Sequence, residues 1–144
     1  MKITPKKIYI FCLIIFIIAV SIFSIYNHIV ENYRAESDDP IMLTVKEKLK
    51  LIHPDVSRLE FYESNKSYTI NKQKVHLCLK DKNGDYYNEN MLTYVGLHEL
   101  AHVLCDEVGH TEKFYRVFDD LLDKAHEMGL YDPSIPIIQD YCMH

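Results

Sequence analysis

The sequence is organised around the stretch Tyr94-Val95-Gly96-Leu97-His98-Glu99-Leu100-Ala101-His102-Val103-Leu104-Cys105, which contains the pattern H-E-x-x-H within an apolar run. On an α-helix, residues four positions apart lie on the same face, so His98 and His102 would direct their imidazoles at a common point. Two such histidines are typical zinc ligands, and Glu99 could reach a water on that metal as general base. The stretch therefore predicts a zinc-dependent hydrolytic centre.

The helix that carries this motif is predicted to extend from about Glu89 to Cys105 or Asp106, with apolar residues on every side. A helix that is apolar all round is buried in a core. Polar groups there are costly unless they have a partner, and a metal ion would supply one for His98, Glu99 and His102. A helix with two surface histidines is the simpler interpretation, and the apolar surroundings argue against it.

A catalytic zinc needs a third protein ligand and one open position for water. His110 is the leading prediction, because Gly109 can turn the chain back after the helix and bring His110 beside the motif histidines. Cys105 is the main rival, since it lies three residues after His102 on the same helical face and would suit a closed structural site. An acidic residue, Glu107 or Glu112, is the remaining alternative.

Residues 8–26 form an unbroken run of 19 uncharged, mostly apolar residues. This is close to the ~20 residues of a transmembrane helix and longer than the core of a signal peptide. We predict a cytosolic N-terminus at residues 1–7, a transmembrane anchor at 8–27, a stalk at 28–40 and a folded domain at 41–144. Lysines before the run and acidic residues after it favour a domain on the non-cytosolic side. A secreted enzyme that loses its first ~25 residues is the alternative.

The domain is predicted to be α+β. Helical spacing and turn signals place its other elements as follows: a helix at Ile41–Ile52, three short strands at Leu59–Glu63, Ser67–Ile70 and Val75–Lys80, a helix at about Glu112–Met128, and an extended tail from Leu130. The strands, with short connections, predict a small antiparallel sheet. We predict that a peptide substrate adds to this sheet along Val75–Lys80.

Charge and cysteine content restrict the possible partners. From Pro40 onward the chain has 12 Lys and Arg against 17 Asp and Glu, with no basic stripe, so no nucleic-acid partner is expected. The sequence contains no C-x-x-C pair, which argues against a zinc ribbon. In an oxidising space two of Cys78, Cys105 and Cys142 could pair, and a Cys105–Cys142 bond would attach the tail to the motif helix.

The run His98-Glu99-Leu100-Ala101-His102, followed by Gly109-His110-Thr111-Glu112-Lys113-Phe114 and a helix with a phenylalanine–leucine stripe, resembles the small zincin-type metallopeptidase domains called WLM and SprT-like. The resemblance implies a minimal zincin-like fold, Zn²⁺ bound by His98, His102 and His110, and Glu99 as general base. The tail looks like that of similar small domains in large DNA viruses.

This sequence departs from those families in two ways. The gap between His102 and His110 looks longer than in WLM domains and shorter than in SprT proteins. Those families are linked to proteolysis of proteins crosslinked to DNA, whereas this domain is acidic and follows an apolar segment. We therefore carry over the zinc chemistry and leave out the DNA-linked substrate.

The predicted function is that of a membrane-anchored zinc metallopeptidase acting on a protein or peptide substrate. Tyr115, Tyr131 and Tyr141 are the predicted candidates for the additional donor that a tetrahedral oxyanion needs. The alternative is a non-catalytic membrane or virion protein with a structural zinc site. The presence of Glu99 favours the enzyme, because a structural site has no need of a base there.

Overall fold

The first helix, α1, spans Pro5–Tyr33 and includes a strongly apolar segment, Pro5–Val30. The computed structural model describes residues 5–33 and 35–143 of the chain. At 1.5 Å per residue the segment is about 39 Å long, which exceeds the ~30 Å hydrocarbon core of a bilayer. By length and composition α1 could cross a membrane, although a signal sequence passes the same test. Positions 1–4 of the predicted cytosolic N-terminus lie outside the described residues.

A separate compact unit begins at Glu36. Its first residues contact the sheet, since the Glu36 carboxylate accepts a hydrogen bond from the Phe61 amide at 3.2 Å and the Ser37 amide donates to the Phe61 carbonyl at 2.8 Å. Helix α2 follows at Pro40–Ile52, with Asp39 as its N-cap and its apolar face buried. Residues 36–39, placed in the predicted stalk, thus contribute contacts to the domain.

The sheet has three strands, β1 at Glu60–Glu63, β2 at Tyr68–Ile70 and β3 at Lys74–Leu77, in the order β1-β3-β2. Strand β3 pairs in parallel with β1 and in antiparallel with β2. The prediction of a purely antiparallel sheet is therefore wrong. A tight turn joins β2 to β3, with left-handed backbone at Asn71 and Lys72.

The connection between β1 and β2 explains this strand order. It crosses the end of β3, where the Ser64 amide donates to the Leu77 carbonyl at 2.9 Å and the Ser67 hydroxyl accepts from the Cys78 amide at 3.0 Å. These contacts end β3 at Leu77, short of the predicted Lys80. Because β3 is the central strand, a substrate cannot add to it, and the prediction of a peptide along Val75–Lys80 is wrong.

Two further helices complete the domain, α3 at Glu89–Leu104 and α4 at Glu112–Glu127, close to their predicted bounds. Asn88 and Thr111 cap them, each accepting a hydrogen bond from an amide in the first turn. Helix α3 is buried because α2, α4 and the sheet all pack against it. The mixed α+β architecture and the central position of the motif helix confirm those predictions.

The tail after α4 has no helix or strand among residues 130–143 and packs against the domain. Cys142 forms a disulfide with Cys78, while Cys105 is free and buried. Two of the three cysteines considered thus pair, and the pair is Cys78–Cys142, not Cys105–Cys142. Cys142 lies beside the end of β3, where its amide donates to the Tyr87 hydroxyl at 3.0 Å, whereas Cys105 caps the C-terminal end of α3.

Gly96 marks the closest approach of α2 and α3. A Cβ atom at Gly96 would lie 3.0 Å from Leu49 Cδ1 and 3.2 Å from Val45 Cγ1. We expect Gly96→Val to lower the free energy of unfolding by about 1–3 kcal/mol, because an overpacked core cannot relax fully. Urea unfolding followed by tyrosine fluorescence measures the change.

The matched control for Gly96→Val is Asp120→Val, which places the same side chain on the exposed face of α4. Surface substitutions of this kind change stability by ~0.5 kcal/mol or less. Equal stabilities of the two variants would contradict the close packing of α2 on α3.

Candidate metal centre

Three histidines converge at one end of the domain. His98 and His102 lie one turn apart on α3, and His110 follows from the loop that joins α3 to α4. The Nε2 atom of His110 is 3.0 Å from Nε2 of His98 and 3.2 Å from Nε2 of His102. Among the described residues, these three form the one group whose ligand atoms are close enough to hold a metal ion.

The spacing of the three nitrogen atoms fits zinc. Imidazole nitrogens bound at about 2.0–2.1 Å to a tetrahedral zinc lie roughly 3.3 Å from one another. Both distances from His110 Nε2 are close to this value. Three nitrogens and no carboxylate or thiolate also make a donor set that suits Zn²⁺ better than the oxygen-preferring cations Ca²⁺ and Mg²⁺.

The loop that carries His110 is fixed by its backbone conformation and by two contacts of lysine side chains. Gly109 has a φ of +84°, the left-handed conformation that turns the chain back toward α3. The Lys113 ammonium forms an ion pair with Asp106 at 2.6 Å, and the Lys72 ammonium donates to the Cys105 carbonyl. These contacts hold His110 against the two helical histidines.

The alternative third ligands are placed differently. Cys105 is 1% exposed and its sulfur is not part of the histidine group. The Glu112 carboxylate accepts a hydrogen bond from Arg116 at 3.1 Å on the surface of α4. Glu107 lines the same cleft as the histidines but does not belong to the group. Of the four predicted candidates, His110 is the one that the fold brings to the motif.

Phe114 packs against all three histidine rings. Its own ring is fully buried, with centroid distances of 5.0 Å to His98, 4.3 Å to His102 and 4.8 Å to His110. Because Phe114 belongs to the first turn of α4, the capping of that helix by Thr111 also fixes the face on which the imidazoles rest. Aromatic packing of this kind limits the orientations that the imidazoles can adopt.

Glu99 lies beside the histidines and is 4% exposed. Its carboxylate accepts a hydrogen bond from the Thr69 hydroxyl of β2 at 2.8 Å. The carboxylate and the three imidazoles line one cleft of about 510 Å³, which we call the histidine cleft. Strand β2 therefore both borders this cleft and positions the only carboxylate of the H-E-x-x-H motif.

Burial sets the protonation of these groups. Burial, together with the neighbouring His102 and His110, lowers the pKa of the His98 imidazole to about 4. It also lowers the pKa of His102, again with a contribution from His110. Both rings are thus neutral at pH 7, which is the metal-binding form. Burial raises the pKa of the Glu99 carboxyl to about 7, opposed by the hydrogen bond from Thr69.

The three tyrosines predicted as oxyanion donors lie in different places. The Tyr115 ring is half exposed and its centroid is 6.1 Å from that of His110. Tyr131 is buried beside Tyr94 and lines a different depression of the surface. Tyr141 lies near Glu99, but its hydroxyl donates to the Cys78 carbonyl and is 2.9 Å from the Ser67 hydroxyl. Of the three, Tyr115 is thus the one whose ring contacts a histidine of the group.

Sequence analysis missed two residues that shape this site. Thr69, the partner of Glu99, is 30 positions away from it, and nothing in the strand pattern indicates that contact. Phe114 belongs to the run that carries the family resemblance, but nothing in that run indicates its contact with the imidazoles. Its position four residues after His110, in the first turn of the helix that this histidine precedes, was the available signal.

The chain is similar to several viral proteins. It is 51% identical over 90 residues to the uncharacterized protein 136R of Invertebrate iridescent virus 6, covering 60% of this chain and 51% of that protein. It is 46% identical over 87 residues to the uncharacterized protein 042R of Invertebrate iridescent virus 3, covering 60% and 55%. It is 37% identical over 83 residues to the uncharacterized protein R325 of Acanthamoeba polyphaga mimivirus, covering 53% and 42%.

The chain thus spans about half the length of the curated relatives it matches. No protein-family model matches it, and neither does a solved structure.

The geometry predicts zinc binding that depends on His110. We expect the full chain to bind one zinc ion, and His110→Ala to weaken binding by more than about 100-fold, since loss of a ligand exceeds the 10–100-fold cost of losing an outer partner. Competition with a chromophoric chelator measures the affinity. His126→Ala, which removes an exposed histidine outside the group, should leave it unchanged. Zinc affinity that survives His110→Ala but falls in Cys105→Ala would contradict the assignment.

Proposed function

We propose that this protein is a zinc-dependent metallopeptidase anchored to a membrane by α1. The observation that carries the proposal is the convergence of three imidazoles in a cleft that also contains a buried glutamate. The Nε2 atom of His110 lies 3.0 Å from that of His98 and 3.2 Å from that of His102. This combination of three imidazole ligands and a neighbouring base is the one that zinc hydrolases need. The resemblance to WLM and SprT-like domains supports the same chemistry, as does the order of the site residues His98, Glu99, His102 and His110.

The number of ligands favours an enzyme over a structural zinc site. Structural zinc sites are closed by four protein ligands, whereas catalytic sites use three and leave a position for water or substrate. Among the described residues, the group contains three histidines and no fourth Cys, His, Asp or Glu. This argues against the alternative of a non-catalytic membrane or virion protein.

A zinc ion at this position would lower the pKa of a water and polarise the carbonyl of a peptide bond. His98, His102 and His110 would bind it through Nε2, and Phe114 would keep their rings in place. Glu99 would accept the proton of the attacking water at its carboxylate and then donate that proton to the leaving amine. Thr69 would hold the Glu99 carboxylate at the cleft by its hydrogen bond. Tyr115 remains the candidate for an added donor to the oxyanion.

Strand β2 provides a surface for the substrate backbone. It is an edge strand of the sheet, and its residues Tyr68 and Thr69 line the histidine cleft together with Glu99. An extended peptide can add to such an edge by main-chain hydrogen bonds. This assigns to β2 the role that the sequence had suggested for the strand starting at Val75.

The disulfide supports a location of the domain outside the reducing cytosol. Disulfides persist mainly in oxidising compartments, and Cys78–Cys142 joins two segments 64 residues apart. This agrees with the orientation that the lysines before the apolar run predict. The viral origin of the relatives makes a virus-encoded peptidase the natural context for the proposal.

The proposed mechanism predicts that Glu99→Gln abolishes hydrolysis without loss of zinc. We expect cleavage of fluorescein-labelled casein by the zinc-loaded full chain to fall by about 10²–10⁴-fold, the usual contribution of a general base. The glutamine keeps the volume of the side chain but cannot accept the proton.

Glu127→Gln makes the same chemical change at the exposed end of α4 and should retain the activity of the unmodified chain. Zinc content, measured on the same samples, separates loss of the base from loss of the metal. Casein cleavage that is unchanged in Glu99→Gln would rule out the proposed mechanism.

A further inference from the structure

A second cleft borders the metal centre on the side of the C-terminal tail. It has a volume of about 940 Å³, and we call it the tail cleft. Its apolar walls come from Met91, Tyr94 and Val95 of α3 and from Ile137, Ile138 and Met143 of the tail, while Lys66 and Ser67 of the β1–β2 connection add polar groups. Ligand clefts of this size that combine apolar walls with a few polar groups are typical binding sites for extended ligands.

The tail cleft is continuous with the histidine cleft. Ser67, His98 and Glu99 line both of them. A polypeptide whose backbone lay along β2 across the metal centre would therefore extend into the tail cleft. The part of that polypeptide that lies there meets apolar side chains, which favours apolar side chains in the substrate.

The outer wall of the tail cleft depends on a small set of bonds. The disulfide joins Cys142 to Cys78, the Tyr141 hydroxyl donates to the Cys78 carbonyl, and the Cys142 amide donates to the Tyr87 hydroxyl at 3.0 Å. Residues 134–140 add no hydrogen bond to α3 or the sheet among the described contacts. Ile137 and Ile138 pack against the core, and their stretch is held on one side by Tyr141 and Cys142 and on the other by Asp132, whose amide donates to the Asn90 side chain of α3 at 2.8 Å.

We propose that the tail cleft is the subsite for a large apolar side chain next to the scissile bond, and that the Cys78–Cys142 disulfide maintains this subsite. The proposal rests on the proposed peptidase function and adds the substrate class: extended polypeptide segments with leucine, phenylalanine or methionine beside the cleaved bond.

Binding to the inactive protein tests the subsite independently of turnover. The probes are two fluorescent decapeptides of serine and alanine that differ at one central position, leucine in one and alanine in the other. They are titrated against the zinc-loaded full chain carrying Glu99→Gln in lipid nanodiscs, with empty nanodiscs subtracted. We expect the leucine peptide to bind about tenfold or more tightly, from the burial of one leucine side chain.

Two tail variants make the test specific. Ile138→Trp fills the cleft and should remove the preference for leucine, whereas Ile135→Trp makes the same change at a tail position outside the cleft and should keep it. Met143→Trp, at the exposed rim of the cleft, provides a second test if Ile138→Trp fails to retain zinc. Equal affinities for the two peptides, or a preference that survives these cleft substitutions, would overturn the subsite. Ile138-dependent binding of laurate but not of the leucine peptide would also overturn it.

The disulfide is tested with Cys78→Ala combined with Cys142→Ala, and Cys12→Ala in α1 serves as control. The double variant should lose the leucine preference and keep its zinc affinity. If the preference remains, the disulfide has no role in the subsite. If the chain is not a peptidase, a different result is expected. The leucine preference would then persist, but the chain with Glu99 would cleave neither peptide.

Discussion

The meeting of three imidazole nitrogens at His98, His102 and His110 is the constraint on which the site depends. The pKa values of His98 and His102 are lowered, and the Nε2 atoms of both lie within 3.2 Å of His110 Nε2. A cation bound there would remove the cost of placing such polar groups beside a buried helix. The three histidines could therefore hold a metal ion, and the buried Glu99 lies beside them.

The other elements of the domain hold these three histidines in position. Helix α2 approaches α3 closely at Gly96 and fixes the rear of the motif helix, while Phe114 of α4 supports the imidazoles from the other side. Strand β2 positions Glu99 through Thr69 and borders the cleft in front of it. The contacts of Gly96 and Thr69 join segments that are distant in sequence, whereas Phe114 lies four residues after His110.

Sequence reasoning succeeded where the signal is local. Helical spacing predicted α3 and α4 close to their observed bounds, and the break at Gly109 predicted that His110 lies beside the motif histidines. It failed where the outcome depends on pairing between distant segments. Alternation within a strand says which side chains share a face but not which strand is its neighbour, so the central position of β3 was missed. The same limit applies to Cys78–Cys142, because spacing alone does not determine disulfide connectivity, and to the contact of Thr69 with Glu99.

X-ray absorption at the zinc edge measures whether His110 completes an open zinc site that is made of nitrogen ligands, as we propose. On the zinc-loaded full chain we expect three imidazole nitrogens and one further light atom at about 2.0–2.1 Å, and no sulfur. His110→Ala should remove one imidazole from that shell. A sulfur at about 2.3 Å would contradict the assignment of His110 as third ligand, because it would place Cys105 on the metal and indicate a structural site.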